Sequence, residues 1–244
     1  MLRNAAAIAR DISDWMKKFM EDIGKNVFVI GVSGGIDSAV AFRLAQATGL
    51  ETQPVFLPSG RAQSEELMSR VNDLLSGGDH LPLITNEIDQ IVSINTLLPI
   101  YDEDKRNKAL GNLSARTRMA ILYYYAELTG GIVLGTTNLP EWHLGYFTKW
   151  GDGAVDIEPL RSFLKSEVFQ LGREGFSNPV PDSILNAAPS AGLWEGQTDE
   201  DEMGFTYGDV DAYLSGCKIP QKSVEKIEKL HRITQHKREE SPFF

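Results

Sequence analysis

One stretch limits the fold more than any other: Val27-Phe-Val-Ile-Gly-Val-Ser-Gly-Gly-Ile-Asp-Ser38. A buried-strand pattern from Val27 to Val32 runs directly into Ser33-Gly34-Gly35-Ile36-Asp37-Ser38, and a helical pattern starts at Ala39. Paired glycines let successive backbone N–H groups turn toward one point, and the helix N-terminus behind them favours an anion there. Ser33 and Ser38 add hydroxyl donors. Asp37 is out of place beside a phosphate unless a cation lies between the two. The spacing matches neither Gly-x-x-x-x-Gly-Lys-Ser/Thr nor Gly-x-Gly-x-x-Gly, so the two commonest nucleotide loops are excluded. A glycine-rich turn that binds nothing is the plain alternative, but the serines and the aspartate serve no turn geometry that glycine alone would not.

The rest of the chain alternates strand and helix signals. Ile8, Ile12, Trp15, Met16, Phe19 and Ile23 recur at three- and four-residue steps and predict an amphipathic helix over residues 4–22, ended by Gly24. Strands are expected over Thr52 to Leu57, near Leu81 to Ile84, and over Ile132 to Thr136, with helices over 63–75 and 112–128. Residues 86–108 are ambiguous, and Pro99 with the charged run Asp102-Glu-Asp-Lys-Arg106 suggests a partly exposed connection. Further helices are expected over 161–173, 207–214 and 221–235. This alternation calls for a Rossmann-like α/β fold, a parallel sheet with helices on both faces, in which ligands gather at the carboxyl ends of the strands. The loops after Val32, Leu57 and Leu134 should therefore meet over one pocket.

Length and charge narrow the function classes. The 244 residues suffice for one large domain, expected to comprise the helix at 4–22, a core over about 25–175 and a covering segment over about 176–244. A net charge of −10 argues against unspecific binding to nucleic acid or anionic membranes. Cys217 is the sole cysteine, so an intramolecular disulfide and a cysteine metal cluster are both impossible. No signal-peptide core and no apolar run of membrane-spanning length is visible, and a cytoplasmic protein is expected.

The SGGIDS loop resembles that of the ATP pyrophosphatases, which cut ATP between its α- and β-phosphates. Two further segments are more specific. Gly135-Thr-Thr-Asn-Leu-Pro-Glu-Trp-His-Leu-Gly-Tyr-Phe-Thr-Lys-Trp-Gly-Asp-Gly153 and Pro189-Ser-Ala-Gly-Leu-Trp-Glu-Gly-Gln-Thr-Asp-Glu-Asp-Glu202 resemble, in order and spacing, the ammonia-dependent NAD synthetases of the adenine nucleotide alpha hydrolase-like fold. The resemblance covers about residue 5 to Arg238. It implies a two-step reaction in which the nicotinate carboxylate of deamido-NAD is adenylated by ATP and ammonia then displaces AMP.

The resemblance also implies roles. Gly31, Val32, Ser33, Gly34, Gly35, Ile36, Asp37 and Ser38 would wrap the ATP phosphates, with Thr136, Lys165 and Ser190 as further ATP contacts. Asp37 and Glu141, the latter on the loop after the Thr136 strand, would hold Mg²⁺. Arg116, Lys149, Asp156, His236 and Lys237 would contact deamido-NAD, with Arg118 close to Arg116. Asp152 is a candidate for orienting or deprotonating ammonium. The family forms homodimers, and Tyr123, Tyr124 and Tyr125 offer a candidate contact surface, with burial inside one subunit as the alternative. Free ammonia is the expected nitrogen source.

Ordinary readings compete with several of these assignments. Glu141 alone could be a solvated loop acid, Thr136 a strand-end threonine, Lys165 an exposed helix lysine, and His236-Lys237 a charge pair compensating a helix dipole. Thr198 and Asp201 fit a helix cap better than a metal site. The histidines lack the spacing of a zinc site. Trp142, Tyr146, Phe147 and Trp150 suit core or interface packing at least as well as stacking on a ligand ring. Two other functions stay open: a pyrophosphatase with a different acceptor, and a nucleotide-binding regulatory module.

Overall fold

The computed structural model describes residues 1–59, 61–89, 92, 103–187, 200 and 203–243. Its centre is the strand that runs into the glycine loop. Val27–Gly31 (β1) lies between Glu51–Phe56 (β2) and Ile132–Val133 (β4), and Ile84–Thr85 (β3) flanks β2. All pairs are parallel, in the order β3-β2-β1-β4, with Val27 opposite Glu51 and Phe28 opposite Ile132. A parallel bridge between Leu134 and Ile157 carries the pairing one step beyond β4.

Because side chains alternate along a strand, β1 serves two cores at once. Phe28 and Ile30 face one core, built with Ala39, Phe42 and Leu44 of Ile36–Ala47 (α2) and Met16 and Met20 of Ala5–Asp22 (α1). Val27 and Val29 face the other, with Met119, Leu122 and Ala126. These last three belong to Glu103–Thr129 (α4), a helix that follows Arg61–Leu75 (α3) in the chain. Burial on both sides explains the uninterrupted apolar run, and each full-sized residue contributes about 1.5–3 kcal/mol.

The expected parallel α/β architecture is observed, with differences in detail. The buried line of α1 is Ala5, Ala9, Ile12, Met16 and Met20, so the stripe is rotated from the expected one, and Trp15 and Ile23 are 50% and 44% exposed. Small residues line the contact: Ala9 lies close to Gly175, Ser13 donates to the Leu44 carbonyl of α2 at 3.1 Å, and the bulky Trp15 lies off this line. Helix α4 begins at Glu103, not near 112. The third strand is displaced to Ile84–Thr85 and the fourth is shortened to Ile132–Val133. The three tyrosines diverge. Tyr124 and Leu128 are exposed, whereas Tyr125 packs into the second core and its hydroxyl accepts a hydrogen bond from Asn86.

The C-terminal part adds Leu139–Leu144 (α5), Lys165–Glu174 (α6), Asp182–Leu185 (α7), Tyr207–Leu214 (α8) and Gln221–Ile233 (α9), with a 3₁₀ turn at Gln235–Lys237. The short α5 and α7 were not expected. A third apolar cluster of Leu144, Met203, Phe205, Tyr207, Val210 and Ile227 joins α5, α8 and α9. Among the described residues no helix is long and apolar enough to cross a membrane. The proposed cap at Thr198 and Asp201 lies outside the described residues, as does Ser190.

Candidate active site

The glycine loop forms where β1 ends. Gly34 takes a φ of +79°, a conformation that side-chain-bearing residues seldom adopt, and an added Cβ would meet Leu67 at 3.3 Å. Gly35 is the N-cap of α2 and places Asp37 in the first turn of that helix. The two serines brace the loop. Ser38 Oγ accepts from the Ser33 amide at 3.2 Å, donates to the Gly35 carbonyl at 3.0 Å, and lies 3.0 Å from Ser33 Oγ. Gly31 and Val32 enter the loop, and Ile36 turns into the first core.

The second component lies beyond β4. Thr136 is half-buried at the strand exit, and Thr137 and Asn138 beyond it are buried. Glu141 belongs to the first turn of α5, not to a loop as expected. Asn138 accepts from the Glu141 amide at 3.0 Å, while Glu141 Oε2 accepts from the Asn138 amide at 3.1 Å. This reciprocal cap, with Pro140 just inside the helix and Gly145 closing it at φ 63°, was legible as Asn-x-x-Glu before a short apolar run.

Lys165 completes the centre. As the first residue of α6 its side chain is 5% exposed, and its ammonium donates to Asp37 Oδ2 at 2.5 Å and to Glu141 Oε1 at 3.3 Å. The side chains of Asp37 and Glu141 are 16% and 17% exposed. Tyr207 donates its hydroxyl to Glu141 Oε1 at 3.3 Å and lays its ring 4.7 Å from the Lys165 ammonium. Asp211, from α8, accepts from the backbone amides of Lys165 and Ser166 at 3.1 and 2.8 Å. It thus caps α6 from another helix. Tyr207 and Asp211 escaped the sequence reading, since a contact across distant helices leaves no periodic trace.

This donor set fits a divalent ion. Two carboxylates already converge on one cationic atom, and Mg²⁺ is commonly held by one or two carboxylates together with phosphate oxygens and water.

A second grouping surrounds the 145–153 loop. Lys237 Nζ donates to the carbonyls of Gly145 and Phe147 at 2.7 and 2.6 Å, and Lys149 Nζ to the carbonyl of His236. Arg116 donates to the Lys149 carbonyl from Nε and an Nη at 3.3 and 3.2 Å. Asp152 Oδ1 accepts from the Thr148 amide at 2.9 Å. The Asp152 residue is exposed on this loop, and the protein packed around its carboxyl group partly desolvates it. Desolvation there raises its carboxyl pKa, against the Thr148 hydrogen bond and the charge of Lys237. Burial likewise lowers the pKa of Lys237, opposed by Asp152.

Arg116, Lys149, Asp152, His236 and Lys237 are thus brought together. Asp156 is bound elsewhere: its carboxylate accepts from the Val133 amide at 2.7 Å and from Tyr123 at 3.2 Å, and it lines a groove shared with Ile8, Trp15 and Phe19 of α1. The Tyr123 pKa is pushed up to about 12, first by burial and then by the Asp156 charge, so the phenol remains a donor. Arg118 donates to the Leu57 carbonyl at 2.9 Å, at the end of β2. Trp142 and Phe147 stack on each other at 5.5 Å, whereas Trp150 is exposed.

The chain matches the family model described as NAD synthase over residues 8–241. The chain belongs to the NAD synthase family. An NH(3)-dependent NAD(+) synthetase of Alkaliphilus metalliredigens is 44% identical over 92% of this chain and 92% of its own. One from Mannheimia succiniciproducens is 40% identical over 96% and 93%. A solved structure titled as NMN synthetase, from Francisella tularensis, is 39% identical with a TM-score of 0.86, covering 99% of this chain and 98% of that one. Membership of the NAD synthase family accounts for the glycine loop and the segment after β4 occurring in one chain.

Proposed function

We propose that this chain amidates deamido-NAD with ammonia at the expense of ATP, giving NAD, AMP and pyrophosphate as the last step of NAD biosynthesis. The observation that carries this reading is the convergence of Asp37, Glu141 and Lys165, from three separate segments, beside the glycine loop. A carboxylate resists nucleophiles. Attack of the nicotinate carboxylate on the α-phosphorus forms one P–O bond and breaks the bond to the bridging oxygen, so that pyrophosphate leaves. Ammonia then adds at the acyl carbon, AMP departs with the C–O bond electrons, and the nitrogen loses a proton. The protein aligns the reactants, balances charge on the phosphates and keeps water from the adenylate.

In this reading Gly31 to Ser38 hold the polyphosphate, with Thr136 and Ser190 as further contacts. Asp37 and Glu141 are the residues to hold Mg²⁺, which when bound supplies charge neutralisation and alignment of the phosphate oxygens. Lys165 steadies the polyphosphate. Arg116, Lys149, His236 and Lys237 face the dinucleotide, the arginine and the two lysines exchanging bonds to backbone carbonyls for bonds to substrate, and Asp156 meets it from the groove beside α1. Asp152 orients ammonium: Asp152→Asn should slow amide formation more than pyrophosphate release, and equal losses would refute that role. Two copies of the chain form a homodimer through the face bearing Tyr124 and Leu128, and the reaction runs in the cytoplasm.

The test is direct. Purified protein with ATP, Mg²⁺, ammonium and deamido-NAD should yield NAD, AMP and pyrophosphate in equal amounts. ADP as product, or ATP binding without turnover, would overturn the proposal. A second reading comes from the NMN synthetase of Francisella tularensis. The same chemistry on nicotinate mononucleotide would need no AMP half on the acceptor. Comparing kcat/KM for the two acceptors decides between them: a tenfold preference corresponds to about 1.4 kcal/mol.

A further inference from the structure

We propose that Asn138 is the positioning residue of the two-carboxylate centre, setting the directions in which Asp37 and Glu141 present oxygens to a cation; this rests on the metal-binding reading above. Asn138 is fully buried, with 0% of its surface accessible. Its side-chain amide works in two directions. Nδ2 donates to Asp37 Oδ1 at 2.9 Å, across 101 residues of sequence, while Oδ1 accepts from the Glu141 amide at 3.0 Å. Its own backbone amide donates to Glu141 Oε2 at 3.1 Å.

Asn138 therefore binds one oxygen of each carboxylate. The other oxygen of each, Asp37 Oδ2 and Glu141 Oε1, is the one that meets the Lys165 ammonium. A carboxylate held at one oxygen by a buried donor loses its freedom to rotate, so its second oxygen has a fixed aim. Holding the pair in this way adds no charge, which leaves two negative groups to match a divalent ion. Buried amides of this kind are costly when unsatisfied and specific when satisfied. A helix cap alone would require the bond to the Glu141 amide but not the bond to Asp37.

That distinction supplies the test. Aspartate and serine both serve as N-caps, so Asn138→Asp and Asn138→Ser keep the acceptor for α5. Aspartate places an acceptor against Asp37 Oδ1, and serine is too short to reach it. Mn²⁺ binding would be followed by electron paramagnetic resonance in the presence of an ATP analogue with a methylene bridge between the α- and β-phosphates. Melting temperatures would be measured alongside.

The expected result is at least tenfold weaker Mn²⁺ binding in both variants, with the larger loss in Asn138→Asp, and the smaller fall in melting temperature in Asn138→Ser, which buries no new charge. Unaltered Mn²⁺ affinity in both variants would overturn the positioning role while leaving the metal reading intact, whatever the melting temperatures. Failure of the unchanged protein to bind Mn²⁺ with the analogue would overturn both. A KM for Mg²⁺ raised by a larger factor than kcat falls would further support it, because a fold defect would lower kcat without a selective effect on the metal.

Discussion

The centre around Lys165 and the grouping around residues 145–153 are both rich in charge, yet they are built on opposite plans. At the first, a buried ammonium meets two carboxylates, and each partner is fixed by a further bond from Asn138, Tyr207 or Asp211. At the second, Arg116, Lys149 and Lys237 donate to backbone carbonyls, and the acid nearby, Asp152, is bound to an amide of its own loop. Carbonyl partners give a cation a hydrogen bond but no opposite charge, so they yield readily to an anionic ligand. The first plan fixes geometry in advance. The second keeps positive charge available for capture.

The contrast can be broken most severely at its rigid end. Asp37→Ala leaves the Lys165 ammonium and the Asn138 amide without their shared acceptor, and should lower kcat/KM by roughly a thousandfold or more, as loss of a group that orients transition-state charge does. The check is pyrophosphate release at saturating Mg²⁺. Lys237→Met is the corresponding lesion at the adaptable end. It should raise KM for the dinucleotide by about tenfold, in line with a charged hydrogen bond worth about 1.5–3 kcal/mol, and leave KM for ATP unchanged. Equal effects on both substrates would erase the division between the two regions.

Acid should separate them next. His143, in α5, stacks on His231 of α9 at 4.1 Å and ties the C-terminal layer to the helix that bears Glu141. Its pKa is lowered to about 4 by burial, then by His231 and Arg238. A folded-state value below the ordinary 6.5 means that the neutral ring is the form the fold favours. Its contribution to stability is therefore complete above about pH 6.5 and declines as pH falls toward 4. Thermal melts across that window should show the decline, and His143→Phe should flatten it.

The smallest effect concerns Trp150, which holds a φ of 64° at the exposed rim of the second region. Asparagine tolerates that conformation better, so Trp150→Asn should stabilise the protein by about 1 kcal/mol in denaturant melts. A gain in stability with weaker acceptor binding would mark the strain as functional.

How much of this could be read from the chain follows the same division. The glycine loop, the parallel sheet and the pairing of Asp37 with Glu141 as candidates came from local patterns and from resemblance, because strand, turn and helix start lie next to one another in sequence. The short helix at 139–144 is equally local, with Asn138 and Glu141 at cap spacing, but six residues carry too little apolar periodicity to mark it as a helix. The rotation of α1 needed knowledge that Ala5, Ala9 and Ser13 are buried, which apolar periodicity weighted toward larger residues does not give. The bonds from Tyr207 and Asp211 are another matter. They join elements tens of residues apart through single polar groups, and nothing along the chain announces which partner each will meet.

The reach of Asp211 has a practical corollary for anyone shortening or splicing this protein. A chain cut anywhere between Glu174 and Asp211 would retain all four strands of the sheet, but the helix that starts at Lys165 would lose the carboxylate that finishes its first turn. Damage inflicted near Asp211 would thus surface 46 residues earlier in the chain, as a lysine no longer held in place. Deletion and fusion boundaries belong beyond Arg238, whose guanidinium still bonds back to the Trp142 carbonyl.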